Sequence, residues 1–205
     1  MKILVFGSTG MIGQRIATEL RNRGHAVTGV SRRGGTAEGD IKGDIHDAAS
    51  LAAGHDAVVT AIAPPRDGTE PEGPFLEANK ALIEGLRTAG VRRLIVVGGA
   101  GSLQVAPGQD LVDTPGFPEI YKKEALAGRA LLHLYRGVDD LDWTFVSPAA
   151  EIAPGERTGK FRVGGDTLLS DDQGRSFISA EDYAVAVADE LEKNANIRKR
   201  ISVAY

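Results

Sequence analysis

Apolar positions along this chain fall into short continuous runs separated by stretches in which they recur every three or four residues. Ile3 to Phe6 is a run long enough for one buried strand, and it breaks into Gly7, Gly10 and Gly13, after which Ile12, Ile16 and Leu20 repeat at helical spacing. Gly24 stands where a helix C′ cap belongs, and Ala26 to Val30 reads as a second strand. The same alternation continues. A short third strand is predicted within Asp40 to Ile45, then a brief helix to Ala53 with Asp47 as its N-cap, then a fourth strand over Asp56 to Ile62. Pro64 to Pro74, rich in proline and glycine, reads as a loop. A helix over Phe75 to Ala89 follows, with Leu76, Asn79, Ile83 and Leu86 on one stripe. Asn79 is the polar member of that stripe, so its amide either ties down neighbouring backbone or holds a water.

Val91 to Val97 is a nearly continuous apolar and β-branched run, the signature of a parallel strand covered on both faces. It opens into Gly98-Gly99-Ala100-Gly101-Ser102, and the segment from there to Pro118 reads as irregular. A helix is predicted from Tyr121 to Tyr135 with Ala127, Ala130, Leu131 and Leu134 as its core stripe, then a strand over Asp142 to Val146 ending at Ser147-Pro148-Ala149. Short strands are expected at Lys160 to Val163 and Ser176 to Ile178. Ser179 caps a last helix through Asp182, with Ala184, Val187, Ala188 and Leu191 on its apolar face, and Arg200 to Ala204 reads as a final edge strand. Strands alternating with helices, the glycine turn first, predict an α/β fold. It is a doubly wound, Rossmann-like parallel sheet with helices on both faces, one domain over residues 1–205 with small substrate-side elements at about 148–180.

That topology gives the glycines a chemical reading. Gly7 permits a sharp turn, Gly10 lets backbone N–H groups approach a pyrophosphate, and Gly13 lets the helix pack against the sheet, so Gly7-Ser8-Thr9-Gly10-Met11-Ile12-Gly13 reads as a dinucleotide turn at a helix N-terminus. The spacing is G-x-x-G-x-x-G, and the bland alternative is a tight turn that binds nothing. Strand two ends in Ser31-Arg32-Arg33, where an NAD site would place a carboxylate on the ribose 2′-hydroxyl; two guanidiniums there suit a 2′-phosphate instead. NADP(H) is therefore preferred, with NAD(H) as the alternative, and two solvated arginines as the bland reading. Gly43-Asp44-Ile45 would lie beside the adenine, unless Asp44 caps a local turn. Ala61, Ile62 and Ala63 are small enough for the cofactor to lie against them, and Gly98 and Gly99 would face the nicotinamide, with Ser102 the first hydroxyl beyond.

Composition narrows the class. With 42% hydrophobic and 25% charged residues the chain is an ordinary globular one, and a net charge of −4 with no basic stripe argues against nucleic acid or an anionic membrane. There is no cysteine, hence no disulfide or thiol nucleophile. The four histidines lack ligand spacing, so no metal is expected. No leader pattern and no apolar run of about 20 residues is present, so a cytoplasmic protein is expected, as monomer or homodimer.

Gly7-Ser-Thr-Gly-Met-Ile-Gly13, Ser31-Arg32-Arg33, Gly43-Asp44, Gly90 to Val97 and Asp142 to Pro148 together resemble the atypical short-chain dehydrogenase/reductase superfamily. The likeness is to its NADH-flavin-reductase-like and NmrA-like members, related to flavin/biliverdin reductase of the B type. The resemblance implies pyrophosphate at the three glycines, the 2′-phosphate at Arg32 and Arg33, the adenine near Asp44 and the nicotinamide amide at Ser147, Pro148 and Ala149. The Tyr-x-x-x-Lys pair of short-chain dehydrogenases is absent, since Tyr121 is followed four residues later by Ala125. Lys122 and Lys123 could still reach the nicotinamide side, and Tyr121, Lys122, Lys123 and Ser102 are the candidate catalytic residues, with a solvated helix start as the alternative. The expected activity is NADPH-dependent hydride transfer to a small conjugated electron acceptor such as a flavin, quinone or biliverdin-like compound. The alternatives are a non-catalytic NADP(H)-binding sensor of the NmrA-like type and, more distantly, a nucleotide-sugar epimerase or dehydratase.

Overall fold

The computed structural model describes residues 1–35, 37–65 and 69–205. Its elements in chain order are β1 (Lys2–Phe6), α1 (Met11–Asn22), β2 (Ala26–Ser31), β3 (Ile41–Lys42), α2 (Ala48–Leu51), β4 (Ala57–Thr60), α3 (Glu72–Ala89), β5 (Arg93–Val97), β6 (Gln104–Ala106), β7 (Gln109–Asp110), α4 (Glu119–Arg136), β8 (Asp142–Ser147), β9 (Glu151–Ala153), β10 (Arg162–Gly164), β11 (Phe177–Ser179), α5 (Ala180–Lys193) and β12 (Lys199–Ala204). The main sheet runs β10-β12-β8-β5-β4-β1-β2-β3, parallel except for β10. Strand order reverses between β1 and β4, and that reversal creates a crevice at the carboxyl ends of the strands, where open α/β sheets bind ligands.

Two apolar layers hold the sheet. On one face α2, α3 and α4 bury Ala48, Leu82, Leu86, Leu131 and Tyr135 against Leu4, Val58, Leu94 and Phe145. On the other, α1 and α5 bury Ile16, Leu20, Tyr183 and Val187 against Ile3, Val5, Ile95 and Ile201. Successive residues i and i+1 of each strand thus serve opposite layers, which is why the strands read as continuous apolar runs.

Several boundaries differ from the sequence reading. α3 starts at Glu72, because Pro74 falls in the first turn, where a missing N–H costs no helical bond. Asp47 makes no side-chain cap; Asp44 caps the preceding 3-10 turn instead, accepting from His46 N–H at 3.1 Å. The segment beyond Ser102 is not wholly irregular, since β6 and β7 form a small hairpin. β12 is not an edge strand: it lies between β8 and β10, and β10 is the edge. The charge of Arg200, which suggests an edge, is buried with 3% of its side chain exposed and is met by Asp166 and Ser102. β11 pairs with β9 outside the main sheet, and β9 itself has too short and polar a sequence to read as a strand.

Candidate functional site

The crevice begins at the glycine turn, where two of the three glycines are required by the chain itself. Gly7 has φ +78°, and a Cβ there would lie 2.6 Å from the Ala61 carbonyl oxygen on β4's side of the reversal. A Cβ on Gly13 would lie 2.1 Å from the Gly7 carbonyl oxygen, so α1 packs directly onto the turn. Gly10 is different. Its φ is −73° and its Cβ would touch only Gly7 O, at 3.4 Å, so its missing side chain clears the exposed side of the turn rather than the protein's own backbone.

The first intrahelical bond of α1 runs from Gln14 N–H to Gly10 O, and no side chain caps the helix. The amides of Met11, Ile12 and Gly13 therefore stand as unpaired donors at the positive end of the helix dipole. Thr9, Gly10 and Met11 are exposed, while Ser8 is buried with its hydroxyl lacking a partner among the described residues. An orphaned buried hydroxyl, a cleared Gly10 and open helical donors fit a pyrophosphate.

At the end of β2, Ser31 shapes the chain by donating from Oγ to Gly34 O and accepting from Arg33 N–H. Arg32 and Arg33 are exposed on this turn and form no ion pair among the described residues. A carboxylate does approach β2, but two residues earlier. Asp40 accepts from Gly29 N–H at 2.9 Å, Ala37 N–H at 3.2 Å and Arg21, with only 4% of its side chain exposed. Burial alone would push this carboxyl up, but the bonds from Ala37, Arg21 and Gly29 outweigh it and hold the group below its usual range. Asp40 thus braces the arginine-bearing turn and is not presented at its tip. It is a structural support of this turn that sequence reading missed; Gly29 and Gly35, where any Cβ would strike this carboxylate, are its trace in the sequence.

Gly43 N–H donates to Ser31 O at 3.0 Å, packing β3's exit against β2, and Ile45 is buried in the core. Asp44 is partly exposed and engaged in its local cap. Across the reversal, Ala61 and Ile62 are half-buried and Ala63 is exposed. Residues 66–68 of the proline-rich rim lie outside the described residues.

The far end of the crevice is built from β5 and β8. Gly98 N–H donates to Val146 O at 2.8 Å, and a Cβ on Gly98 would strike the Phe145 ring, whereas Gly99 borders open space. Ser147, Pro148 and Ala149 are buried, and the Ser147 hydroxyl has no partner among the described residues. Tyr183 of α5 donates to Val146 O at 2.7 Å and fixes the end of β8; burial pushes its phenol far up, so it serves as a neutral donor. Ser102 turns away from this mouth. Its hydroxyl and carbonyl accept from Arg200, and it lines a separate depression of about 670 Å³ with Arg129, His133 and Arg136. Tyr121 is 57% exposed in the first turn of α4, with Lys122 bonded to Glu119 at 2.9 Å and Lys123 paired with Glu70. The fold therefore gathers the glycine turn, the β2 end and the β4, β5 and β8 exits around one crevice, and leaves Ser102 and both lysines committed elsewhere. Among the described residues no group of three or more His, Asp or Glu side chains could hold a metal ion.

A crevice of this shape, lined by a phosphate-binding turn at a strand-order reversal, defines a nicotinamide-dinucleotide-binding α/β protein. The NAD(P)H-binding family model matches residues 7–194, and the chain belongs to that family, within the short-chain dehydrogenase/reductase superfamily. YwnB of Bacillus subtilis is 40% identical over 99% of this chain and 98% of its own. Among solved structures, a Burkholderia pseudomallei protein provisionally named as exported is 50% identical over the whole of both chains, with a TM-score of 0.92. One from Bacteroides thetaiotaomicron provisionally named an epimerase is 37% identical over 100% of this chain and 96% of its own, with a TM-score of 0.89. One from Streptococcus pneumoniae provisionally named an NADH-flavin reductase is 35% identical over 100% and 99%, with a TM-score of 0.85. No helix among the described residues is long and apolar enough to cross a membrane.

Proposed function

We propose that the protein is an NADPH-dependent reductase that delivers hydride to a small, flat, conjugated acceptor of the flavin or quinone kind. The cofactor would be held by the Met11, Ile12 and Gly13 amides at its pyrophosphate, by Arg32 and Arg33 at its 2′-phosphate, and by the turn at Ser147, Pro148 and Ala149 at its nicotinamide end. When bound it supplies the hydride. The observation that carries the reading is what lies beside that end. Gly98, Gly99 and Ala100, the half-buried exit of β5, bring no acid or base to it, and Ala125 occupies the position four residues after Tyr121 where a short-chain dehydrogenase keeps its lysine. A carbonyl substrate needs a protein acid beside the hydride acceptor, whereas a flavin or quinone can take its proton from water.

The names of the Bacteroides and Streptococcus proteins divide between an epimerase and a flavin reductase. Epimerisation begins with proton removal from a sugar hydroxyl, and the missing Tyr-Lys pair weighs against it. A cofactor-binding sensor would use the same crevice without turnover. Purified protein with NADPH and a panel of FMN, FAD and quinones should oxidise NADPH steadily, followed at the nicotinamide absorbance. No turnover with any acceptor, alongside tight NADPH binding, would leave the sensor reading in its place.

A further inference from the structure

We propose that Tyr121, flanked by Ile120, is the aromatic roof against which the flat acceptor stacks, and that it acts through its ring and not through its hydroxyl. The inference rests on the reductase reading above. α4 turns one face to the loop after β5: a Cβ on Gly101 would lie 2.6 Å from the Cβ of Ala125, and Leu132, seven residues on, is buried in the core. Side chains four apart lie one turn, about 5.4 Å, apart on the same face. Tyr121 therefore continues the Ala125 row past Gly101, beyond the carboxyl end of β5.

Ile120 heads the neighbouring row, which runs on through Ala127 and Leu131, 0% and 2% exposed. These rows are core lower down and open in the first turn, where, among the described residues, Ile120 is 83% exposed and Tyr121 57%. The result is an exposed apolar and aromatic pair one helical turn beyond the Gly101–Ala125 contact, on the side of the loop that follows β5. No cation stands beside the Tyr121 hydroxyl on its own face, because position 125 is alanine, while Lys122 reaches Glu119 and Lys123 reaches Glu70. The hydroxyl has no partner among the described residues. What the position offers is a large, rigid π face at low entropic cost, the feature a conjugated ring system recognises.

The test reads binding without turnover. FMN is titrated into protein saturated with NADP⁺, which carries no hydride to give, and its fluorescence quenching is followed for the wild type, Tyr121→Phe and Tyr121→Ala. Tyr121→Phe should bind FMN within about twofold of the wild type and Tyr121→Ala about tenfold more weakly, with NADP⁺ affinity equal in all three. Loss in Tyr121→Phe as large as in Tyr121→Ala would assign the work to the hydroxyl and overturn the proposal. So would an unchanged Tyr121→Ala, or a wild type that binds no FMN. A shift in oligomeric state of Tyr121→Ala with FMN binding intact overturns it too, and makes the patch a contact between copies. The expected binding pattern without any NADPH oxidation keeps the roof and removes the reductase reading, so the two fail separately.

Discussion

On the proposed reading Arg32 and Arg33 would carry the cofactor preference, and Asp40 is compatible with it because its carboxylate is tied to Gly29, Ala37 and Arg21 rather than presented at the tip of the turn. Replacing both arginines by alanine should weaken NADPH binding by about 2–3 kcal/mol, the scale of lost charge-assisted hydrogen bonds. NADH affinity should change little, since nothing in that cofactor meets the guanidiniums. Isothermal titration of both cofactors decides the matter, and equal losses would show that the arginines do not read the 2′-phosphate. At this scale the glycines were legible in the sequence, because a turn needing positive φ and a helix packed on backbone admit no other residue. Asp40 was not legible. Its role depends on β3 folding back along β2, and a single acidic residue before a two-residue strand carries no periodic signal.

Between elements, the odd polar residue in the α3 stripe proves to be a tie between helices. Asn79 is fully buried; its Nδ2 donates to Phe75 O at 2.9 Å, and its Oδ1 accepts from the Tyr135 hydroxyl of α4 at 2.9 Å. Tyr135 is itself fully buried, its phenol pushed far up by burial, and its ring leans on Trp143 with centroids 6.1 Å apart. Tyr135→Phe keeps the ring contact but leaves Asn79 Oδ1 with no donor, which should cost about 1–3 kcal/mol and lower Tm by several degrees. Adding Asn79→Leu should recover part of that loss, because the orphaned acceptor is then gone. A Tm equal to wild type for Tyr135→Phe would mean water takes the donor's place. The stripe announced a buried amide, but its partner lies 56 residues away on another helix, beyond any spacing rule. The short elements were blurred for a related reason: β9, β10 and β11 are three residues each, set by pairing partners rather than by their own pattern.

Across the whole molecule, the layers follow from periodicity alone, while the segment between β9 and β10 is fixed by charges that the sequence keeps far apart. Gly155 N–H donates to Glu181, Thr158 and Gly159 donate to the buried Asp182 carboxylate, and Arg157 makes two 2.8 Å bonds to Glu19 of α1, 138 residues away in the chain. Arg23 adds a third bond to Glu19, whose side chain is only 6% exposed. The Arg157 hydrogen bonds, aided by Arg23 and opposed by burial, pull the Glu19 carboxyl down from 4.5 to about 2. A carboxyl depressed on folding adds stability that is complete above its unfolded pKa and is lost as pH falls through the folded one. The contribution of Glu19 should thus be present at pH 7 and fade between about pH 4.5 and pH 2. The size of the shift corresponds to about 3 kcal/mol, and solvent screening of Arg157, whose side chain is 55% exposed, brings the expectation to about 1–2 kcal/mol. Glu19→Gln mimics the protonated acid at every pH. Urea unfolding of the two proteins should therefore show the wild type more stable at pH 7 and the gap less than half as large by pH 3, whereas a constant gap over that range would mean that Glu19 acts through packing and not through its charge.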